Sequence, residues 1–336
     1  RLSSAASDVY KRQGKKHIFL KVILGFFIGI ISIVVLFVGG LNVLKFAIYS
    51  NYYGMSKTFA KNPGLNDGYI TQGVAISEEK NVVITSGYMT DKSNSRIYVV
   101  DLDTNEDSYV KLVKGEKAFT GHVGGVAITG DNVYIANGSR IYTVSLNDVL
   151  EARENHGTVD VGEGTKVNNA ASFVFTDESN LYVGEFHDGG AYVTNHPFET
   201  PNGEVNHAII TKYSLSDLTT PLESYSIINK VQGFCITGEG KMVFSTSYGL
   251  SSSHYYIYDK ADLIPSSQTV DGAPLYFLGE LKQNISGPAM SEDLDYTNGK
   301  VLTLTESASN KYIFGKLFFA THIDLSLIHI WRCRRI

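Results

Sequence analysis

From residue 68 onward the chain runs in short stretches of five to eight residues in which apolar and polar positions alternate, broken by Gly, Asn and Asp. Alternation of that period, carried by Val, Ile, Tyr and Phe, predicts strands with one face buried. A different pattern precedes it. Residues 22–44 (VILGFFIGIISIVVLFVGGLNVL) contain no charge, and 23 residues of helix at 1.5 Å each can cross about 30 Å of hydrocarbon.

The strands repeat. A first strand recurs as QGVAIS (72–77), GGVAIT (124–129), ASFVFT (171–176), QGFCIT (232–237) and EDLDYT (292–297), so successive starts lie 52, 47, 61 and 60 residues apart. A second follows at NVVITS (81–86), NVYIAN (132–137), NLYVGE (180–185), KMVFST (241–246) and KVLTLT (300–305). A third follows at RIYVVDL (96–102), RIYTVSL (140–146), AIITKYSL (208–215), HYYIYDK (254–260) and GKLFFATHI (315–323). A weaker fourth is DSYVKLV (107–113), HGTVDVG (156–162), ESYSII (223–228) and LYFLGEL (275–281). Four short antiparallel strands repeated at this spacing predict an all-β fold, a β-propeller of five blades, preceded by one N-terminal transmembrane helix. The fifth unit shows no fourth strand, which predicts a C-terminally truncated propeller over 68–325. Six blades stay open if 50–68 pairs with the missing outer strand or if a further blade was lost.

The RIYxVxL strands resemble the third strands of quinoprotein-like and lactonase-like (YVTN-type) bacterial propellers. The resemblance covers residues 68–325 and implies a fold; no functional motif accompanies it.

Both ends stand apart. Residues 1–13 (RLSSAASDVYKRQ) and 326–336 (SLIHIWRCRRI) resemble translated sequencing-adapter read-through, and the expectation is that they are not native sequence. The whole chain of 336 residues has 29 basic and 34 acidic residues. The tails hold six basic residues (Arg1, Lys11, Arg12, Arg332, Arg334, Arg335) and one acidic (Asp8), so 23 basic and 33 acidic remain and the net charge becomes −10. That balance, without a basic patch, argues against nucleic acid as a partner. Cys333 also leaves with the tail, so Cys235 is the remaining thiol and no intramolecular disulfide or Cys-based metal site is expected. Cys235 sits in an apolar strand, where a buried inert thiol is expected.

Residues 14–21 read as a basic cytoplasmic stub, with Lys15, Lys16 and Lys21 ahead of the apolar run and Lys45 just behind it. The positive-inside rule then places the N-terminus in the cytoplasm, 22–44 as a signal-anchor, 45–67 as a linker and the propeller outside the cell membrane. A cleaved signal peptide is the alternative, although the run is long and 38–40 is a poor cleavage match.

In a propeller, the loop entering the first strand and the loop joining the second to the third share one mouth of the central channel. The entering positions are Gln72, His122, Gln232 and Glu292 with Asp293; the other loops bring Tyr88, Asn137, Glu185 with His187 and Asp188, Tyr248, and Glu306. A ligand-binding mouth is therefore expected from Gln72, His122, Gln232, Glu292, Glu306, Glu185 and His187. No cofactor is evident. The carboxylates Glu292, Asp293 and Asp188 would suit Ca²⁺, which takes six to eight oxygens. An insertion at 187–206, rich in Gly and Pro, is long for a loop. The function expected is a membrane-anchored extracytoplasmic binding or scaffold module with an extracellular ligand or protein partner. The alternative is a hydrolase or lactonase with an acidic channel mouth, Glu292 and Glu306 acting as acid and nucleophile. No GxSxG, P-loop or GxGxxG motif is present.

Overall fold

Two- to four-residue turns join the first strand of each repeat to the second, and five four-stranded antiparallel blades result. The computed structural model describes residues 2–312, 314, 315 and 320–326. Blade one comprises Tyr69–Ser77, Val82–Met89, Arg96–Asp101 and Asp107–Lys114, from the channel outward. Blade two comprises Gly125–Thr129, Asn132–Asn137, Arg140–Ser145 and Thr165–Lys166. Blade three comprises Phe173–Thr176, Asn180–Gly184, Ala208–Ser214 and Asp217–Ile227. Blade four comprises Val231–Ile236, Lys241–Thr246, Ser253–Asp259 and Leu281–Gly287.

Blade five differs from expectation. Its inner strands are Ser291–Thr297 and Lys300–Thr305, its third is His322–Ser326, and its outer strand is Ser56–Lys61 from the other end of the chain. Ser56 pairs with Ser326 and Lys61 with His322. The fourth strand missing from the fifth repeat is thus supplied by part of the stretch read as a linker, the ring has five blades, and Ser326 belongs to a strand. The third strand begins seven residues later than the GKLFFATHI reading; 316–319 lie outside the described residues, as do Arg1 and 327–336, so most of the tail read as adapter is not described.

Two of the expected fourth strands also serve elsewhere. Thr158–Asp160 runs parallel to Asp107–Lys114 and widens blade one, and blade two takes Thr165–Lys166 instead. Ala273–Phe277 likewise runs parallel to Asp217–Ile227 of blade three, and blade four takes Leu281–Gly287. Alternation specifies which side chains are buried but not which of two open edges a strand joins.

Blades pack face to face through apolar side chains. Phe173, Tyr182, Tyr225, Phe234 and Phe244 are fully buried in one such cluster, with Phe234 and Phe244 ring centroids 5.0 Å apart. The short helix Ser50–Met55 leads into the closing strand and adds Tyr52, 3% exposed, whose ring stacks on Tyr255 and whose hydroxyl meets Thr303 at 2.7 Å and donates to Asp324 at 3.0 Å.

Around the channel the first strands approach so closely that glycine recurs at one repeat position. A Cβ on Gly73 would lie 2.7 Å from Val126 N, on Gly125 2.7 Å from Phe173 Cα, and on Gly233 2.5 Å from Asp293 Cα. Blade five has Asp293 at this position. Its carboxylate Oδ2 accepts from Val126 N–H at 3.2 Å and Val74 N–H at 3.4 Å, and Asp295 accepts from Ile76 N–H at 2.9 Å. Acidic side chains of blade five thus satisfy backbone donors on the inner strands of blades one and two.

The N-terminal unit is a separate body, a helix over Leu2–Ile48. Within it His17–Ile48 is 32 residues long with a mean hydropathy of 3.0 at its most apolar, long and apolar enough to cross a membrane. Ile18, Phe19, Leu20 and the apolar residues after them are exposed, a surface suited to lipid.

Candidate functional site

The turns into the first strands deliver the site. They pass through the left-handed region at Val123 (φ 49°), Lys230 (φ 64°) and Met290 (φ 63°). For a β-branched residue such as Val123 that conformation costs on the order of 1–3 kcal/mol and is held only because the surrounding structure dictates it. The result is that Gly124, Gln232 and Glu292 line one cavity of about 570 Å³.

All five blades contribute. Blade one brings Gln72 and Tyr88, blade two His122 and Asn137, blade four Gln232, Ser247 and Tyr248, and blade five Met290, Glu292, Glu306, Lys311 and Tyr312. Blade three brings Ser172, Phe186 and Tyr192, the last from the 187–206 insertion and packed edge-on against Phe186 at 5.5 Å. His122 stacks on Tyr88 with ring centroids 4.6 Å apart, and the Lys311 ammonium lies 4.9 Å from the ring centroids of both Tyr88 and Tyr312 while donating to the Tyr88 hydroxyl. A larger depression, about 650 Å³, follows Thr143–Ser145 and Gly157–Asp160 on the outside of blade two. Its polar side chains face solvent and its buried members, Val144 and Val159, are apolar, so it is a surface furrow without convergent polar groups.

Two carboxyls dominate the channel-mouth cavity. Glu306, 8% exposed, accepts from Gln72 Nε2 at 2.9 Å and from the Tyr312 hydroxyl at 3.0 Å. Burial nonetheless pushes its pKa up to about 7, against the lowering effects of Tyr312, Lys311 and Gln72. Glu292 is 3% exposed and makes no hydrogen bond or ion pair among the described residues. Burial, then the charges of Glu306 and Asp293, hold its carboxyl well above the usual range, with Lys311 opposing. Glu292 therefore favours its neutral form beside a second carboxyl whose pKa is also raised.

The expected mouth residues separate into two groups. Gln72, His122, Gln232, Glu292 and Glu306 line the cavity together with Tyr88, Asn137 and Tyr248. Glu185 and His187 do not line it. Glu185 is 2% exposed and spends its carboxylate on Ala170 N–H and Ile209 N–H, each at 3.2 Å, and on His196 Nδ1 at 2.9 Å, which holds the insertion to blade three and raises the His196 pKa. His187 Nδ1 accepts from Thr194 N–H at 3.1 Å, and its ring stacks on His207 at 4.7 Å. Both are pieces of the loop's scaffold.

The suggested Ca²⁺ ligands are also dispersed. Asp188 is half-buried and closes its own turn onto Gly190 and Tyr192 N–H, Asp293 faces the inner strands, and no group of three potential metal ligands occurs among the described residues. Cys235 is free and fully buried, and burial raises its thiol pKa, which leaves it unreactive.

Lys311, Tyr312 and Tyr192 were not reached from the repeat pattern, because they sit on irregular segments, and Phe186 was not singled out although it shares the repeat position of Gly138 and Ser247. The length of the 187–206 insertion signalled a contribution; nothing marked Lys311.

The fold and the mouth define a five-bladed β-propeller with a ligand-sized cavity over its channel and an apolar N-terminal helix. No family model and no curated protein matches the chain. Among solved structures, glutaminyl cyclase from Myxococcus xanthus is similar at 11% identity and TM-score 0.44, over 81% of this chain and 96% of that one. The PQQ-bound aldose sugar dehydrogenase from Streptomyces coelicolor is similar at 13% identity and TM-score 0.42, over 80% and 96%. Hydrazine synthase from Kuenenia stuttgartiensis is similar at 13% identity and TM-score 0.37 over 69% of this chain, which spans 55% of that protein's length. At these identities the likeness concerns the fold alone.

Proposed function

We propose that this chain is a single-pass membrane protein whose extracytoplasmic propeller binds a small polar ligand at the channel mouth. One observation carries the binding role. A cavity of about 570 Å³, floored by the buried acid Glu292 and walled by aromatic side chains, receives groups from all five blades. Its size suits a small molecule, and concave sites with few convergent polar groups on an apolar lining are where such ligands bind. The anchoring rests on the apolar stretch His17–Ile48 and on Lys15, Lys16 and Lys21 ahead of it.

Two measurements test this. Protease added to intact cells is expected to digest the propeller, and its protection would overturn the orientation. Thermal unfolding of the full chain in detergent, screened against sugars, amines and small carboxylic acids, is expected to give at least one ligand that raises the midpoint, since a ligand of the native state stabilises it by mass action. Gln232→Tyr, which fills the cavity from blade four, should abolish that shift; an unaltered shift would place the ligand elsewhere.

A second reading, hydrolysis, draws support from the separate states of the two carboxyls. Two buried carboxyls side by side, both raised above the ordinary range and only Glu306 held by Gln72 and Tyr312, have the makings of an acid and a base. Turnover of a bound ligand, lost in both Glu292→Gln and Glu306→Gln, would mark that case.

A further inference from the structure

We infer that the channel-mouth cavity takes a ligand bearing a single cationic amino group, seated on the Glu292 carboxyl and enclosed by aromatic rings. The inference rests on the cavity being a binding site and names the class of molecule it takes.

The first observation is the state of Glu292. It lines the cavity, is 97% buried and has no hydrogen-bonding or ionic partner among the described residues, whereas Glu306 beside it is engaged by Gln72 and Tyr312. The carboxyl opens into the cavity and is not sealed in protein, so a ligand donor can reach it without displacing a protein partner.

The second observation is the sign of the surroundings. The charged groups acting on Glu292 are two acids, Glu306 and Asp293, and one base, Lys311. Once Glu292 is ionised, an anion would meet repulsion there, and a neutral donor would gain less than a cation. The third is the wall. Tyr88, Tyr248, Tyr312, Phe186 and Tyr192 line the cavity, and ring faces attract ammonium groups. The rim already shows this preference, because the Lys311 ammonium lies 4.9 Å from the centroids of two of these rings. Lys311 is exposed, and its ammonium is held by the Tyr88 and Tyr312 rings and by the Tyr88 hydroxyl.

The chemistry of seating the ligand involves no covalent step. The amine enters as its ammonium, the neutral Glu292 carboxyl loses its proton to solvent, and the ammonium and carboxylate pair. Charge is conserved: one cation enters and one proton leaves. While Glu292 is protonated in the free protein and ionised in the complex, affinity rises about tenfold per pH unit. His122, Glu306 and Lys311 are the other acids and bases lining the cavity, and Asp293 acts on Glu292 from among the inner strands.

The test uses the full chain in detergent and three amines, each paired with a neutral alcohol of nearly the same shape: ethylamine with ethanol, benzylamine with benzyl alcohol, and isobutylamine with isobutanol. Titration calorimetry at pH 6 and pH 7, in buffers of different ionisation enthalpy, reads both affinity and proton release. At least one amine should bind ten or more times tighter than its alcohol, tighten with pH and release close to one proton. Glu292→Gln, which resembles the protonated acid in shape and charge, should lose the preference and the proton release while still binding the alcohol. Lys311→Gln, at an exposed site, should bind the amine several-fold tighter.

An amine no tighter than its alcohol in all three pairs overturns the inference, as does a preference that survives in Glu292→Gln. If alcohols bind and amines have no advantage, the cavity remains a binding site and only the ligand class fails. If Gln232→Tyr leaves amine binding intact, the amine sits elsewhere and the reading of the cavity fails with it.

Discussion

Gly233→Ala should leave little or no folded propeller. The added methyl would stand 2.5 Å from Asp293 Cα and 2.6 Å from Leu294 N, main-chain atoms of blade five that no rotamer change can move aside. Relief requires blades four and five to separate at the channel, where Val231, Phe234 and Leu294 are buried at 1% exposure or less. Overpacking of this kind costs about 1–3 kcal/mol where side chains can adjust, and more where backbone must shift. Gly54→Ala is the control, since its methyl meets nothing within 4 Å. Circular dichroism and soluble yield of the two variants measure the difference. A Gly233→Ala protein melting with the parent would show that the first strands are not packed as closely as described.

Stability should be greatest in mild acid and fall as pH rises through neutrality. Glu306 is raised from its ordinary 4.5 to about 7, and Glu292 is also raised, by burial and then by its acidic neighbours. A carboxyl whose folded pKa is raised holds a proton that the unfolded chain has released, so its contribution is complete below its unfolded pKa and is lost as pH climbs to the folded one. The loss is about 1.4 kcal/mol per pH unit for each such group, between about pH 4.5 and 7 for Glu306. Exposed carboxyls held low by hydrogen bonds, such as Asp217 at about 2, act in the opposite direction but only in stronger acid. Denaturant midpoints from pH 4 to pH 8 should therefore decline, and Glu306→Gln, which can still accept from Tyr312 and Gln72, should flatten the decline. A midpoint that rises toward pH 8 would mean that these acids are ionised in the native state.

The inner three strands of the blades were legible because burial on both faces forces apolar, β-branched and aromatic residues into regular runs, and because the first two are joined by short turns. The outer strands were not. Each is half-exposed and faces two available edges, so Thr158–Asp160 and Ala273–Phe277 carried a strand pattern that gave no sign they would join the preceding blade. The closing strand Ser56–Lys61 sits outside the repeat altogether and has no equivalent from which to recognise it. The mouth shows the same division. Gln72, Gln232 and Glu292 occupy a repeated position and were found by their register, whereas Glu185 and His187 had suitable chemistry at a suitable position but found partners nearer by. Lys311 and Tyr192 entered the cavity from irregular segments, and only three-dimensional placement reveals them.

The pairing of Ser56–Lys61 with His322–Ser326 also sets the order in which the molecule can be made. Lys61 waits for His322, 261 residues later in the chain, and Ser56 for Ser326, 270 residues later. Closing a flexible loop of that length costs about 5 kcal/mol of chain entropy, which the packing of the earlier blades must already have reduced. During synthesis the first strand leaves the ribosome with no partner in existence, and four blades can stack before its own is complete. Throughout that interval one strand edge at each end of the unfinished ring is open to the same edges on another nascent chain. Translation pauses, crowding on polysomes and chaperone supply would therefore act on the yield of closed rings more strongly than on the stability of a ring once it has shut.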